Sequence, residues 1–494
     1  MTRTIAAAHA LVDPGASPVR DVTLTIEEGR VAEVGAAMTA PADTLLLPGL
    51  VNAHDHGRGF RTVAFGADDD ALEPWLAGLV QTPPADPYTV AAVAFARMAG
   101  AGITAANHCH IPAGGDPVDE ARAVARAAGD VGIRLAFAVP IVDRNRPVYG
   151  GPGAICGRYA PGDWALVRDL EGRAAPAAEQ IAAADAIAAA IESDMVSVQY
   201  GPAGPQWVSD AALADIAARS AATGRRVHMH LLESPEQRAW ADAAYPQGIV
   251  AHLAGLGLLS DRLTIAHGVQ LRAAEIGALS AHGVTVSVNT SSNLRLRAGI
   301  APLGGFLAEG LAVALGLDGM AFDDDEDMLR ELRLAARLHA PRGVSGRGVA
   351  PERLLAGALA AGRRTIDGRA GYGPLVSGAD ADLVRLDLAA MAPDAVPGVA
   401  DPMALALSQA RRAHVRDVWC AGRPILKDGR VCGIDLPAAE AELTAAARAA
   451  APHLAERAPA IARHRAHVRE HYAEGGHVAA ARRSPDGLDE EDRE

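Results

Sequence analysis

The 494-residue sequence contains a single lysine, Lys427, among 46 basic residues. Arginine carries nearly all of the positive charge, and no lysine is available anywhere before that position. Cysteine is scarce as well. Cys109, Cys156, Cys420 and Cys432 stand far apart without a C-x-x-C pair, which excludes a disulfide framework and a thiolate zinc site of the usual spacing. No apolar run approaches the ~20 residues that span a bilayer. The opening MTRTIAAAHALVDPG is interrupted by His9 and Asp13 before an apolar signal core can form. These absences lead to the expectation of a cytoplasmic chain with no membrane partner. A formal net charge of −14 argues against nucleic acid as a partner too.

What is present is half hydrophobic and about a fifth charged, enough to build a large soluble core. Short apolar runs alternate with Ala-rich helical stretches through the middle of the chain. Eight strands are predicted, at Leu45–His54, Ile103–Asn107, Ile133–Val139, Val196–Tyr200, Arg226–Leu231, Leu263–Ala266, Val284–Val288 and Ala312–Leu317. Several are almost continuously apolar, as strands buried on both faces are. Helices are expected between them, among them Pro87–Ala99, Ala175–Glu192, Ser209–Thr223 and Ser234–Ala244. Eight β/α units in succession favour a closed (β/α)8 TIM-like barrel over an open doubly wound sheet.

Both flanks read as strands and tight turns instead, with Glu27-Glu28-Gly29-Arg30 near the start and Lys427-Asp428-Gly429-Arg430 near the end. The fold class is therefore α/β: residues 49–374 form the barrel, and residues 1–48 pair with 375–435 as a small composite β-sandwich domain. Residues 436–494 form a helical segment that closes in the acidic tail SPDGLDEEDRE. The Ala- and Arg-rich helices after Leu436 are read as an element for a homo-oligomer, dimer or higher.

Chemistry-bearing residues cluster at the predicted strand ends, where barrel enzymes carry their sites. In PGLVNAHDH, residues two apart share a strand face, so His54 and His56 point together while Asp55 points away. Paired imidazoles of this kind suit a borderline metal ion. The segment VHMHLLES adds His228 and His230, of which periodicity cannot choose the ligand, and Glu233, a carboxylate placed to carry protons beside an activated water. TIAHG contributes His267, as fit for the core as for catalysis, and LGLDG contributes Asp318, which could bind an ion and take up a proton. Each has a packing explanation alone; four such sites at four strand ends do not.

This ordered set, with TIAHGVQL and SVNTSSNLRLRAGIAPL, resembles the amidohydrolase superfamily, in its branch of cytosine, guanine and S-adenosylhomocysteine deaminases and triazine hydrolases. The resemblance implies one divalent ion, Zn2+ or Fe2+, on His54, His56, His230 and Asp318. His228 then supports a ligand, Glu233 shuttles protons, and His267 polarises the bond under attack. Departures from the usual pattern stand at Asp55, Leu317 and Asn289-Thr290-Ser291-Ser292-Asn293. In binuclear members a carboxylated lysine bridges two metals on a middle barrel strand. Lys427 lies outside the barrel and Val198-Gln199-Tyr200-Gly201 offers no substitute, so the expected site is mononuclear.

The implied activity is deamination of a nitrogen heterocycle, with small heterocycle and water as the partners. Loss of chloride or an alkylamine from a triazine, or opening of a cyclic amide, is the alternative, and a non-catalytic scaffold is a remote one. Candidate substrate contacts after the strands are Arg58, His108, His110, Arg144, Gln199, Asn293 and Arg295, the arginines suiting carboxylate or carbonyl acceptors. Trp75, in a stretch similar to one that helps close the pocket of S-adenosylhomocysteine deaminases, could stack on a heterocycle.

Overall fold

A computed structural model describes residues 2–172, 175–340, 343–344, 348–396 and 398–483. The predicted acidic tail lies outside the described residues. Among the described residues sixteen strands form two sheets of eight. We number them β1 (Arg3–Ala10), β2 (Val19–Glu27), β3 (Arg30–Ala36), β4 (Thr44–Pro48), β5 (Leu50–Asp55), β6 (Ile103–Cys109), β7 (Arg134–Ile141), β8 (Val196–Pro202), β9 (Val227–Leu231), β10 (Leu263–His267), β11 (Thr285–Val288), β12 (Ala312–Leu315), β13 (Leu383–Asp387), β14 (Val415–Cys420), β15 (Arg423–Lys427) and β16 (Arg430–Val431).

Strands β5 to β12 lie in sequence order and pair in parallel throughout. The backbone N–H groups of Leu317 and Asp318 donate to the carbonyl of His54 at 3.1 and 2.9 Å, which draws the last strand onto the first and nearly closes the barrel. Helices cover the outside, and their starts follow local chemistry. Asp86, Ser209 and Ser234 each cap a helix by accepting a backbone N–H, and Pro87 and Pro235 occupy first-turn positions where no N–H is needed.

The flanks meet in one mixed sheet, ordered β16-β15-β14-β13-β4-β1-β2-β3. It curls until Arg30 bridges Asp380, enclosing a small core that includes Ile5, Leu24, Val31, Leu46 and Trp419. Its other face, with Leu45, Leu47, Val384 and Ile425, joins the main core against the barrel helices.

One predicted strand needs correction. Leu45–His54 is two strands in different sheets, β4 and β5, broken at Pro48-Gly49. Hydropathy runs unbroken across the junction because both pieces are buried. The crossing depends on glycine: a Cβ at Gly49 would stand 2.3 Å from Thr104 Oγ1.

The C-terminal segment is a helix from Leu436 to Ala473, continuous through Pro452 and Pro459, followed by Gly476–Arg483. Among the described residues no helix is long and apolar enough to cross a membrane.

Candidate metal centre and substrate pocket

Three imidazoles and a carboxylate from β5, β9 and the loop after β12 converge at the barrel's C-terminal mouth. His56 Nδ1–H donates to the Cys109 carbonyl at 3.0 Å, and His230 Nδ1–H donates to the Ala203 carbonyl at 2.8 Å. His54 Nδ1 pairs with His228 Nε2 at 2.8 Å. These contacts orient each ring and leave its Nε2 as a lone pair. His54 Nε2 and His56 Nε2 lie 3.1 and 3.2 Å from the same oxygen, Asp318 Oδ1. The His54 nitrogen is nevertheless buried without a hydrogen bond, as expected where both atoms aim lone pairs at a shared point. Ligand atoms of His54, His56 and Asp318 lie within 4.8 Å of one another, and so do those of His54, His230 and His267. The donor set fits a borderline divalent cation.

Asp318 has φ +61°, and Leu232 and His267 are likewise left-handed at +52° and +73°. Three non-glycine residues in that region, at or beside three strand ends, mark backbone held by its surroundings for function. Asp318 Oδ2 accepts the Ser292 hydroxyl at 2.5 Å. Gly316 makes the approach possible, since a Cβ there would meet Asn289 Oδ1 at 2.4 Å and His54 Cβ at 2.9 Å.

Asp55, which the strand period turns away from the histidines, is a fully buried clamp. Its Oδ1 accepts Gly57 N–H at 2.7 Å; its Oδ2 accepts Gly319 N–H at 3.0 Å and Asn52 Nδ2 at 2.7 Å. Asn52 Oδ1 in turn accepts Leu317 N–H at 3.0 Å. The pair stitches the segment carrying His56 to the one carrying Asp318.

The electrostatics separate the two carboxylates. Burial works against the Asp318 charge, but His54 and His56 hold its carboxyl well below the usual range. Burial, with the Asp318 and Glu73 charges, pushes Glu233 well above it, and Glu233 Oε1 has no hydrogen-bond partner among the described residues. Two acids of opposite protonation side by side suit a base and an acid. Burial and neighbouring imidazoles lower His230, and burial brings His267 to about 4, so both stand neutral. His267 Nδ1–H donates to Asn293 Oδ1 at 2.9 Å, while Nε2 faces Glu233 Oε2 at 3.6 Å.

A cavity of about 670 Å³ opens over this cluster, with His56, His230, Glu233, His267 and Asp318 at its floor. Of the sequence-predicted substrate contacts, Arg58, Trp75, His108 and His110 line it. The Arg58 guanidinium lies 5.1 Å from the Trp75 ring, whose buried indole N–H has no partner among the described residues. His108, His110 and Glu120 form a chain, with 3.3 Å between the rings and 2.8 Å to the carboxylate.

The other four predicted contacts do not line the cavity. Arg144 donates to the Pro205 carbonyl at 2.6 Å, Gln199 to the Thr365 carbonyl at 2.7 Å, and Arg295 is paired with Asp69 and Asp324. Asn293 acts on His267. Sequence reasoning gave no role to Phe60, Phe65 and Trp207, which line the cavity, or to buried Glu73. Apolar walls carry no signal that distinguishes them from core, whereas Glu73, two residues before Trp75, was a visible charge in an apolar stretch.

A profile of the Amidohydrolase family matches residues 45–425, from β4 through the last barrel strand and into β15. The chain belongs to the amidohydrolase family. It is 28% identical over 446 residues to a 5′-deoxyadenosine deaminase of Methanosarcina barkeri, covering 86% of this chain and 92% of that one. It is 30% identical to a 5-methylthioadenosine/S-adenosylhomocysteine deaminase of Nitratidesulfovibrio vulgaris, again over 86% and 92% of the two chains. Among solved structures, an adenosine deaminase of Xanthomonas campestris with bound zinc superposes with a TM-score of 0.75 at 25% identity, covering 90% and 97%. The superposition covers most of both chains, so this amidohydrolase shares its fold with that structural relative.

Proposed function

We infer that this amidohydrolase is a mononuclear metal-dependent aminohydrolase that removes the exocyclic amino group of an adenine-type base. The observation that carries the reading is the convergence of three oriented imidazoles, two of them on Asp318, beside Glu233, with the Asp318 carboxyl held down by His54 and His56 and the Glu233 carboxyl pushed up by burial. His54, His56, His230 and Asp318 would hold one Zn2+ or Fe2+, and the bound ion would supply Lewis acidity and lower the pKa of a water molecule toward ~7. Relatives that deaminate adenosine derivatives support the choice of base.

Each residue then has a task set by its protonation. Asp318, ionised, accepts a proton from the attacking water. Glu233, protonated, donates to the ring nitrogen beside the carbon under attack and so makes that carbon electrophilic. The proton held by Asp318 then passes to the amino group, which leaves as ammonia, while the adduct's hydroxyl proton returns to Glu233 as the carbonyl forms. His267 carries its proton on Nδ1, toward Asn293, so its Nε2 accepts a hydrogen bond and orients the attacking oxygen. Trp75 and Arg58 form a flat, cationic wall that suits a heterocycle.

The test is ammonia release from a panel of 5′-deoxyadenosine, adenosine, S-adenosylhomocysteine, guanine, pterins, pyrimidines and amino- or chlorotriazines. Release from adenine nucleosides above all others is expected. Turnover confined to triazines, or chloride in place of ammonia, would overturn the reading.

A further inference from the structure

The helices Leu436–Ala473 and Gly476–Arg483 lie beyond the residues that the family profile matches. None of their described residues lines the cavity, yet they grip the back of segments that do. The first is the 57–85 segment after β5, which supplies Arg58, Phe60, Phe65, Trp75 and Val80 to the wall. Its secondary structure is only three short turns, Thr62–Phe65, Leu72–Leu76 and Leu79–Gln81. Helices so short do not hold themselves, so this wall takes its shape from what it is tied to.

The ties come from the long helix, and several go to backbone carbonyls. Arg457 donates to the Val80 carbonyl at 2.7 Å and to Gln81 Oε1 at 2.5 Å. Arg465 donates to the Gly66 carbonyl at 3.0 Å and to the Pro74 carbonyl, next to Trp75, at 3.2 Å. Arg469 pairs with buried Asp70. Leu443 sits so close to cavity-lining Gly59 that a Cβ there would stand 2.8 Å from its Cδ1.

The end of the helix reaches the catalytic side. Tyr472 Oη accepts Tyr149 N–H at 3.1 Å and His471 Nε2–H donates to the Tyr149 carbonyl at 3.2 Å. The Tyr149 hydroxyl donates to Glu73 Oε1 at 3.1 Å, and Ser234, the residue after Glu233, donates to the same oxygen at 2.6 Å. Gly476–Arg483 packs on Pro235–Ala244, the helix that Ser234 caps.

We propose that the C-terminal helices are a positioning brace for the substrate pocket, holding the Arg58–Trp75 wall at its working distance from the histidine cluster, with Arg465 and Tyr472 as its main positioning residues. This rests on the cavity being the substrate site of the proposed deaminase. A wall displaced by about 1 Å weakens substrate placement while leaving the ion and its water untouched, so the effect belongs in KM.

The experiment compares wild type, Arg465→Ala, Arg465→Lys, Tyr472→Phe and, as a control, Arg448→Ala, an exposed residue on the same helix. Metal content and circular dichroism are measured for each. On the nucleoside that the wild type deaminates, Arg465→Ala should raise KM about tenfold with kcat within about threefold. Arg465→Lys should fall between, Tyr472→Phe should raise KM severalfold, and Arg448→Ala should match wild type. Hydrogen exchange of residues 57–85 should quicken in Arg465→Ala while the barrel strands stay protected.

Folded, metal-loaded variants with wild-type KM, or with reduced kcat at unchanged KM, would overturn the proposal. If Arg465→Ala does not fold, Tyr472→Phe, which deletes one oxygen atom, decides. If the wild type releases no ammonia from any heterocycle, the proposed activity fails separately, and the exchange experiment alone decides the brace: unchanged exchange at 57–85 overturns it.

Discussion

Replacing Asp55 with asparagine changes one atom in a fully buried side chain and strikes the clamp between two candidate ligand segments. The carboxylate accepts Gly57 N–H on one oxygen and Gly319 N–H with Asn52 Nδ2 on the other. An amide keeps only one accepting oxygen, so either Gly57 N–H or Gly319 N–H must face an NH2 group. A lost charge-assisted bond plus an unsatisfied buried donor amounts to about 2–4 kcal/mol. Part of that falls on folding and part on the ion, because Gly57 follows His56 and Gly319 follows Asp318. Changes one shell beyond the ligands typically weaken metal binding ~10–100-fold. Urea unfolding of the apoprotein reads the first part, and zinc competition against a chromophoric chelator reads the second. An Asp55→Asn protein with wild-type zinc affinity and a stability within about 0.5 kcal/mol would refute the clamp.

Glu233→Gln keeps the shape of the proton donor but removes its proton chemistry, and should lower kcat by about 10²–10⁴-fold, or about 3–5 kcal/mol of barrier, with metal content unchanged; near-normal turnover would remove Glu233 from its role. His228→Phe deletes the acceptor of the His54 Nδ1 proton and should weaken zinc binding ~10–100-fold in the same competition assay. Burial and the Glu236 charge raise Glu73 to about 7. Its folded pKa exceeds the unfolded one, so the native state binds the extra proton and stability falls as pH rises from about 4.5 through 7. Glu73→Gln should therefore gain on wild type by up to about 3 kcal/mol between pH 5 and 8; parallel stability curves for the two proteins would contradict the raised pKa.

The barrel was legible because its strands are buried on both faces and its helices carry their own caps, such as Ser209 and Ser234. The β4–β5 break was not, since two buried strands read as one when only a Pro-Gly crossing separates them. The histidines and Asp318 stood out because each sits at a strand end, a position the sequence itself marks. Asp55 and Glu73 were visible as charges but mute as to role, because their partners Gly319 and Tyr149 are far away in the chain. Arg144, Gln199 and Arg295 followed strands as pocket residues do. Their destinations, Pro205, Thr365 and Asp69, depend on tertiary contacts that no local pattern encodes. The C-terminal helices read as an oligomerisation element for the same reason, with nothing local to show that Arg457 and Arg465 donate to carbonyls of the pocket wall.

The most direct test of the account is metal stoichiometry measured alongside activity on one sample. Inductively coupled plasma analysis of the purified protein should find one zinc or iron per chain. A chelator should remove that ion and ammonia release together, and one equivalent of Zn2+ or Fe2+ should restore the activity. Full turnover in metal-free protein, or a requirement for two ions per chain, would contradict a single-metal aminohydrolase built on His54, His56, His230 and Asp318.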